Sequence, residues 1–146
     1  MNSRLLAGLA VALVLGSAAA SFAADPFVVI VNPSVTGTTV RRPDLAAVFL
    51  RKVVRWGDRS QAVPVDQSGT SPVRQAFSEA VLKMPLSTVL QYWQKEMFGT
   101  SPRHPPLAKP GDAEVIAFVA KTPGSVGYVS VGATLPSSVR AVEVVD

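Results

Sequence analysis

The sequence predicts a single small α/β domain with a mixed sheet flanked by helices, preceded by an export signal. Short runs of β-branched residues alternate with segments in which apolar residues recur every three or four positions, as in buried strands and amphipathic helices. Turn-forming residues separate these segments, and no internal repeat, linker or low-complexity region interrupts them. The 146 residues are therefore enough for one domain.

Residues 1–23 have the pattern of a secretory signal peptide. A single arginine precedes a nearly unbroken apolar run over residues 5–15, and the small residues Ser21 and Ala23 then form a cleavage site. The run is shorter than the roughly 20 apolar residues that span a membrane, although an uncut anchor is the alternative. We expect cleavage after Ala23 and a periplasmic domain over residues 24–146.

The composition excludes several kinds of site. The chain has no cysteine, so it can form no disulfides, thiolate metal sites or cysteine nucleophiles, which is common in a bacterial periplasm. The formal net charge of +4 suits an anionic partner, but the sequence has no arginine-rich run or aromatic set for nucleic acid. Basic residues concentrate in one region, as either a solvated face or a binding patch. They are Arg41, Arg42, Arg51, Lys52, Arg55 and Arg59.

The sequence pattern of the first half of the domain predicts two strands with a helix between them. The apolar run of residues 26–31 predicts a buried strand that ends at an Asn-Pro pair. Residues 43–52 predict a helix, because a proline begins the segment and apolar residues follow at helical spacing. Residues 62–66 predict a second strand. Since Pro64 cannot donate a hydrogen bond, we expect this strand to be an edge or irregular there.

Two helices follow the second strand. Ser71 is the predicted N-cap and Pro72 the first residue of the clearest helix in the chain. Another helix begins after Pro85 and ends before Gly99. The predicted buried stripes are Val73, Ala76, Phe77, Ala80 and Val81 in the first helix, and Leu86, Val89, Leu90, Trp93 and Met97 in the second.

The last third predicts a loop, a short helix and two strands. Residues 100–111 contain four prolines and predict an extended surface loop, after which Asp112 is the predicted cap of a helix. Residues 125–130 and 139–145 predict strands. The element order is then β-α-β-α-α-α-β-β, which is typical of one α/β domain. The apolar residues that align in the short helix are Ala113, Ile116, Ala117 and Ala120.

The segment of residues 66–71 runs from a strand end through a small polar loop into a helix N-terminus. The first backbone N–H groups of a helix lack intrahelical partners, and the helix dipole places positive partial charge there. The hydroxyls of Ser68, Thr70 and Ser71 are further donors, and Gly69 lets a ligand approach the backbone closely. The segment is therefore a predicted oxyanion site, with an ordinary N-cap after a tight turn as the alternative.

Several motifs, in order, carry a resemblance to a known family. Residues 66–70, Asp-Gln-Ser-Gly-Thr, resemble the Asp-x-Ser-Gly-Thr loop of the periplasmic phosphate-binding proteins that feed phosphate ABC transporters. Residues 45–50, followed by Arg-Trp-Gly-Asp at 55–58, are similar to the helix, tryptophan and Gly-Asp stretch of that family. Residues 122–129 resemble its Pro-Gly-x-Ile-Gly-Tyr signature. Together with aromatic residues between them, these motifs cover almost all of residues 24–146.

The resemblance implies the fold of one lobe of a type 2 periplasmic binding protein, without a cofactor. It implies that phosphate or another oxyanion binds the loop, and that an ABC transporter permease or another envelope protein is a partner. Asp66 would accept a hydrogen bond from a protonated oxyanion, or else form an Asx turn with Ser68 or Gly69. The ligand-binding residues that the resemblance implies are Asp66, Ser68, Gly69, Thr70 and Ser71.

The chain departs from the family's pattern in two respects. A full binding protein has two lobes and is more than twice as long. The family's arginine two residues before the Asp is Pro64 here, so the guanidinium fork that would hold phosphate bidentately is missing. Arg74, one turn into the helix, is a candidate substitute. The alternative function is an exported interaction protein that keeps the fold without binding a ligand.

The sequence carries no set of residues suited to catalysis or to metal binding. His104 is the only histidine, and no HExxH, P-loop or GxSxG pattern occurs. Acidic residues are scattered, without a close pair for acid–base work. We therefore expect no catalytic residue, no metal and no enzyme activity. A second polar loop, residues 34–39, follows the first predicted strand, either as a ligand loop or as a solvated connection.

We predict that the exported protein begins at Ala24, because small residues follow an apolar run that is too short to span a membrane. Mass spectrometry of the protein recovered outside the cytoplasm checks this prediction. A chain that retains Met1 and fractionates with membranes would contradict it.

Overall fold

The computed structural model describes residues 25–146, so the predicted signal peptide, residues 1–23, lies outside the described residues. The strands are β1 (Phe27–Val31), β2 (Thr39–Arg41), β3 (Val63–Gln67), β4 (Leu107–Lys109), β5 (Ser125–Ser130) and β6 (Arg140–Val145). The helices are α1 (Arg42–Phe49), α2 (Pro72–Phe77), which continues as a π-helical segment (Ser78–Leu82), α3 (Leu86–Met97) and α4 (Asp112–Lys121). Over this range, no helix is both long and apolar enough to cross a membrane.

The six strands form one mixed sheet in the order β2-β6-β1-β5-β3-β4. Strand β1 runs antiparallel to β5 and β6, whereas β3 runs parallel to β5 and β4. The carboxyl ends of β1 and β3 therefore lie at opposite ends of the sheet. As a consequence, the polar loop after β1, residues 34–39, and the polar turn after β3 do not meet.

Each face of the sheet packs against helices, so the core has two layers. Strand β1 alternates between them, with Val29 and Val31 facing α1 and α2 and Ile30 facing α4. A cluster of aromatic rings fills the first layer. In the second layer α4 lies close to the sheet at Gly127, where a Cβ atom would stand 2.7 Å from Val115 Cγ1.

The longer predicted elements are confirmed within a few residues. The predicted strands at 26–31, 62–66, 125–130 and 139–145 correspond to β1, β3, β5 and β6. The predicted helix at 43–52 ends earlier, at Phe49, because the backbone of Arg51 turns into the left-handed region with a φ of 57°.

Two short strands were not predicted. Strand β2 pairs in parallel with β6, and β4 pairs in parallel with β3. The prediction of a loop over residues 100–111 is therefore wrong at Leu107–Lys109. Both strands have three residues, too few for an alternating pattern, and the first two residues of β4 are exposed.

The second strand, expected to be an edge or irregular at Pro64, is not an edge strand, because β3 runs between β5 and β4. At Pro64 itself, however, β3 pairs only with β5, so its β4 side is locally unpaired. The amide of Val63 donates to the carbonyl of Gly124 beside β5, so the nitrogen of Pro64 faces the β4 side. Strand β4 begins only at Leu107, opposite Val65. Pro64 therefore lies one residue before the β3–β4 pairing begins, so the N–H group that proline lacks is not needed for a hydrogen bond to β4.

The prediction for the buried faces of the last two helices is partly wrong. In α4 the fully buried residues are Val115 and Val119, whereas Ala113 and Ala117 are exposed. Apolar residues occupy most positions of α4, so their spacing does not select one face. In α3, Val89 and Trp93 are buried as predicted, but Leu90 is half exposed.

We predict that Gly124→Ala lowers the free energy of unfolding by about 2 kcal/mol or more. Gly124 has a φ of 77°, and a Cβ atom there would lie 2.0 Å from the carbonyl oxygen of Gln61. Gly132→Ala is the matched control, since its φ is ordinary and nothing lies within 4 Å. Chemical denaturation of both variants measures the difference, and equal stabilities would contradict the prediction.

Candidate functional site

The turn between β3 and α2, residues 68–71, lies on the surface at the carboxyl end of β3. The amide of Ser68 donates to the carbonyl of Lys109 in β4 at 2.9 Å, and the amide of Ser71 donates to the carbonyl of Ser68 at 3.0 Å. The hydroxyl oxygens of Ser68 and Thr70 lie 3.2 Å apart. The turn is thus closed on itself and attached to β4, and the paired hydroxyls of Ser68 and Thr70 are exposed to solvent.

The outer amides of this turn remain available as donors. Within residues 25–146, the N–H groups of Gly69 and Thr70 donate to no acceptor. Ser71 occupies the predicted N-cap position of α2, but its hydroxyl does not cap the helix. It donates to Oε1 of Gln67 at 2.9 Å instead. Two backbone donors just before α2 are therefore unpaired in the described chain.

Gly69 is a glycine that the fold does not require. Its φ lies outside the left-handed region, and a Cβ atom built there would meet nothing within 4 Å. Neither backbone strain nor packing therefore explains the missing side chain. The effect of the glycine is that the amides of the turn stay uncovered.

Asp66 lies beneath the turn, buried at the end of β3 with 6% of its surface exposed. Its Oδ1 accepts hydrogen bonds from the hydroxyl of Tyr128 and from the amide of Gln67, and its Oδ2 lies 3.3 Å from Nη2 of Arg74. Burial raises the pKa of Asp66, although the Arg74 charge and the two hydrogen bonds oppose the shift. The carboxylate forms no Asx turn with Ser68 or Gly69.

Arg74 holds the strand end as well as the carboxylate. Its Nη1 donates to the backbone carbonyl of Gln67 at 2.9 Å, and only 11% of its side chain is exposed. Arg74 and Asp66 therefore neutralise each other below the turn. The guanidinium that the sequence suggested as a substitute for the arginine absent at Pro64 is directed inward, at the Asp66 carboxylate.

Gln67 links this ion pair to α4. Its side-chain amide donates to the carbonyl of Tyr128 and to Oδ1 of Asp112, both at 2.9 Å. Burial favours the neutral form of Asp112, but hydrogen bonds from Gln67 and from the hydroxyl and amide of Ser130 outweigh burial, and the pKa of Asp112 is lowered. The cap of α4 is Gly111, so the prediction of Asp112 as its cap is wrong.

These side chains form one connected set, which we call the turn-support network: Asp66, Gln67, Ser71, Arg74, Asp112 and Tyr128. In the described part of the chain, no buried side-chain nitrogen or oxygen lacks a hydrogen-bond partner. A satisfied buried network of this kind fixes the backbone above it. Sequence reasoning proposed Asp66, Ser71 and Arg74 for this region and missed Gln67 and Tyr128, because only the pairing of β3 with β5 brings them together.

The remaining sequence candidates lie elsewhere. Ser34 accepts a hydrogen bond from the amide of Gly124 at 2.8 Å, at the end of the sheet opposite the turn. Arg42, from the basic region, forms ion pairs with Asp25 and Asp146. His104 is exposed on its loop. Over residues 25–146, no group of three or more potential ligands is placed to hold a metal ion.

The fold is similar to that of several solved phosphate-binding proteins. An ABC-type phosphate transport receptor from Vibrio cholerae matches with a TM-score of 0.62 and 17% identity, over 82% of this chain and 46% of that one. PstS from Borrelia burgdorferi matches with a TM-score of 0.63 and 17% identity, over 82% and 47%. No family model and no curated protein matches the sequence.

A third structure, from Clostridium perfringens and described as a phosphate ABC transporter substrate-binding protein with bound phosphate, has a TM-score of 0.58 and 19% identity. The match covers 82% of this chain and 45% of the Clostridium perfringens chain. The expected fold, a small α/β unit equivalent to one lobe of such proteins, is therefore confirmed. The chain spans less than half the length of each of these proteins. The likeness therefore establishes the fold and does not establish a ligand.

We predict that Tyr128→Phe lowers the free energy of unfolding by about 1–3 kcal/mol at neutral pH, because a buried carboxylate loses a donor. Tyr92→Phe is the matched control, since its hydroxyl donates to the neutral carbonyl of Leu50 at 2.9 Å. We expect about 0.5–1.5 kcal/mol there. Chemical denaturation of both variants against wild type measures the two costs.

The cost of Tyr128→Phe should also depend on pH. Because the pKa of Asp66 is raised in the folded state, ionisation of Asp66 destabilises the fold. This penalty is absent below the pKa of the unfolded chain, and it grows as the pH rises through the pKa of the folded state. Loss of the hydroxyl adds to that penalty, so the variant's deficit should shrink as the pH falls and Asp66 is protonated. A deficit that is the same at neutral and acidic pH would show that the hydroxyl does not act on the carboxylate.

Proposed function

We propose that this chain is an exported solute-binding protein that holds phosphate or a similar oxyanion at the turn of residues 68–71, in connection with phosphate uptake. One observation carries the proposal: the amides of Gly69 and Thr70, which have no acceptor within residues 25–146, belong to the same turn as the exposed hydroxyls of Ser68 and Thr70, above a buried network that supports the turn.

The donors of the turn suit an anion physically. The amides of Gly69 and Thr70 and the hydroxyls of Ser68 and Thr70 can all donate to phosphate oxygens, at the positive end of α2. Each hydrogen bond to a charged group contributes roughly 1.5–3 kcal/mol. Asp66 would act from below, by holding Arg74 and the strand end in place, and Ser71 by its bond to Gln67.

Binding at this turn should be weak. The charge of Arg74 is compensated by Asp66, and Pro64 supplies no guanidinium, so neutral donors face the ligand. Losing one charge-assisted hydrogen bond lowers affinity about tenfold or more. The turn is also open to solvent on its outer side, and water competes for its donors.

The similar solved structures support this choice of ligand, since one is a phosphate transport receptor and another is a substrate-binding protein with bound phosphate. The segment over residues 1–23 supports export into the periplasm. An ABC transporter permease or another envelope protein would then be the macromolecular partner.

A second candidate is an exported interaction protein that keeps this fold without a ligand. The ion pair of Arg74 with Asp66 favours it, because this pair directs the nearest arginine away from the outer face of the turn. In that case the turn-support network would serve stability alone, and anions would not affect the protein.

We predict that millimolar phosphate raises the free energy of unfolding of the wild-type protein and that Gly69→Val abolishes this effect. A valine at this position fits the backbone but covers the amides. Gly132→Val, at an equally open position outside the turn, should retain the response. Ser68→Ala and Thr70→Ala should each weaken phosphate binding by about 1 kcal/mol or more, with little change in the stability of the free protein.

Isothermal titration with phosphate and with sulfate, together with chemical denaturation in each salt, measures these effects. A wild-type protein that millimolar phosphate fails to stabilise would rule out the binding function and leave the interaction protein. A submicromolar dissociation constant would contradict the expectation of weak binding.

A further inference from the structure

A cavity of about 640 Å³ opens at the end of the sheet opposite the turn. It lies on the sheet face that carries α1, between the loop after β1, strand β2, the start of α1 and the loop of residues 53–58. Its volume falls within the roughly 300–1,000 Å³ of small-molecule sites. No residue of the turn or of the turn-support network lines it.

The floor of the cavity is apolar. Val31, Val48 and Val126 line it, and each of them is at most 3% exposed. The side chains of Val35 and Val142 also contribute, and the Trp56 indole forms part of one wall. Such a floor binds an aliphatic or aromatic group, because apolar contact replaces water there.

The wall formed by Trp56 is held in place by hydrogen bonds. The indole Nε1 donates to the carbonyl of Gly124 at 2.9 Å, and the amide of Gly124 donates to the Ser34 hydroxyl at 2.8 Å. The hydroxyl of Thr36 reaches Oδ2 of Asp58 at 3.5 Å across the mouth. These bonds join the two loops, so the cavity is a preformed feature of the fold.

Charges of both signs surround the opening. Arg41, Arg55, Asp44 and Asp58 all line the cavity, and within residues 25–146 none of them forms an ion pair. Arg55 donates through Nη1 to the carbonyl of Arg59, which leaves its other nitrogens available. Hydrogen bonds from Ser60, together with a weaker one from Thr36, lower the pKa of Asp58, so it is ionised at neutral pH.

We propose that this cavity binds a short apolar peptide that carries both a free α-ammonium and a free α-carboxylate. The apolar side chains occupy the valine-lined floor, the carboxylate is held by Arg41 or Arg55, and the ammonium by Asp44 or Asp58. Two unpaired cations with two unpaired anions complement a zwitterion. A simple anion would meet both aspartates, and a simple cation would meet both arginines.

Titration calorimetry of the purified protein with leucyl-leucine tests the proposal. N-acetyl-leucyl-leucine keeps only the negative charge, and leucyl-leucine amide keeps only the positive one. We expect leucyl-leucine to bind. Each blocked form should bind about tenfold more weakly, or more weakly still. No binding of leucyl-leucine at millimolar concentration, or equal binding of either blocked form or of hexanoate, would overturn the proposal.

Variants locate the site. The double variants Arg41→Ala with Arg55→Ala and Asp44→Ala with Asp58→Ala should each weaken the binding of leucyl-leucine about tenfold. Lys95→Ala and Glu79→Ala, which remove exposed charges outside the cavity, should leave that binding unchanged. Gly57→Phe adds a side chain at the cavity wall and should block binding, and Gly132→Phe is its control at an equally open position. Binding that survives both double variants and Gly57→Phe would place the peptide elsewhere and refute the assignment.

Discussion

The contact between the hydroxyl of Tyr128 and the buried carboxylate of Asp66 determines how the rest of the structure is arranged. It joins β5 to β3, and Arg74 extends the contact to α2. The ring of Tyr128 stacks on Phe77 with centroids 4.0 Å apart, so the aromatic core fixes the hydroxyl. Removing a carboxylate from water costs several kcal/mol unless it is well paired, and here the pairing gives two strands, a helix and a turn one mutual geometry.

The sequence was sufficient to predict elements that are long and strongly patterned. The β-branched run of β1 and the stripe from Val73 to Val81 have unambiguous periods. The strand forms as expected, and the helix forms as far as Phe77 and continues as a π-helical segment. Three-residue strands have no period, so β2 and β4 depend on neighbours that only the folded chain supplies. The position of Pro64 inside the sheet has the same origin, because it depends on where β4 begins.

The candidate site was predictable in its outer part only. Ser68, Gly69 and Thr70 are adjacent in sequence, and turn chemistry alone suggests an anion there, although their ligand remains a prediction. Asp66 and Tyr128 lie 62 residues apart, and no local pattern relates them before the register of β3 and β5 is known. The cavity at the other end is assembled from four separate stretches of chain: residues 31–48, residues 53–58, Val126 and Val142. The polar loop of residues 34–39 is only part of one of them, so its sequence alone could not predict the cavity.

Strand β4 has a consequence for the behaviour of the protein at high concentration. It forms one border of the sheet, where unpaired backbone groups can recruit a strand from another molecule. Pro105 and Pro106 precede its three residues and Pro110 follows them, so the border offers almost no length for such pairing. Partly folded copies are therefore less able to polymerise through that border, which is an advantage for a chain that has no disulfides to hold it folded.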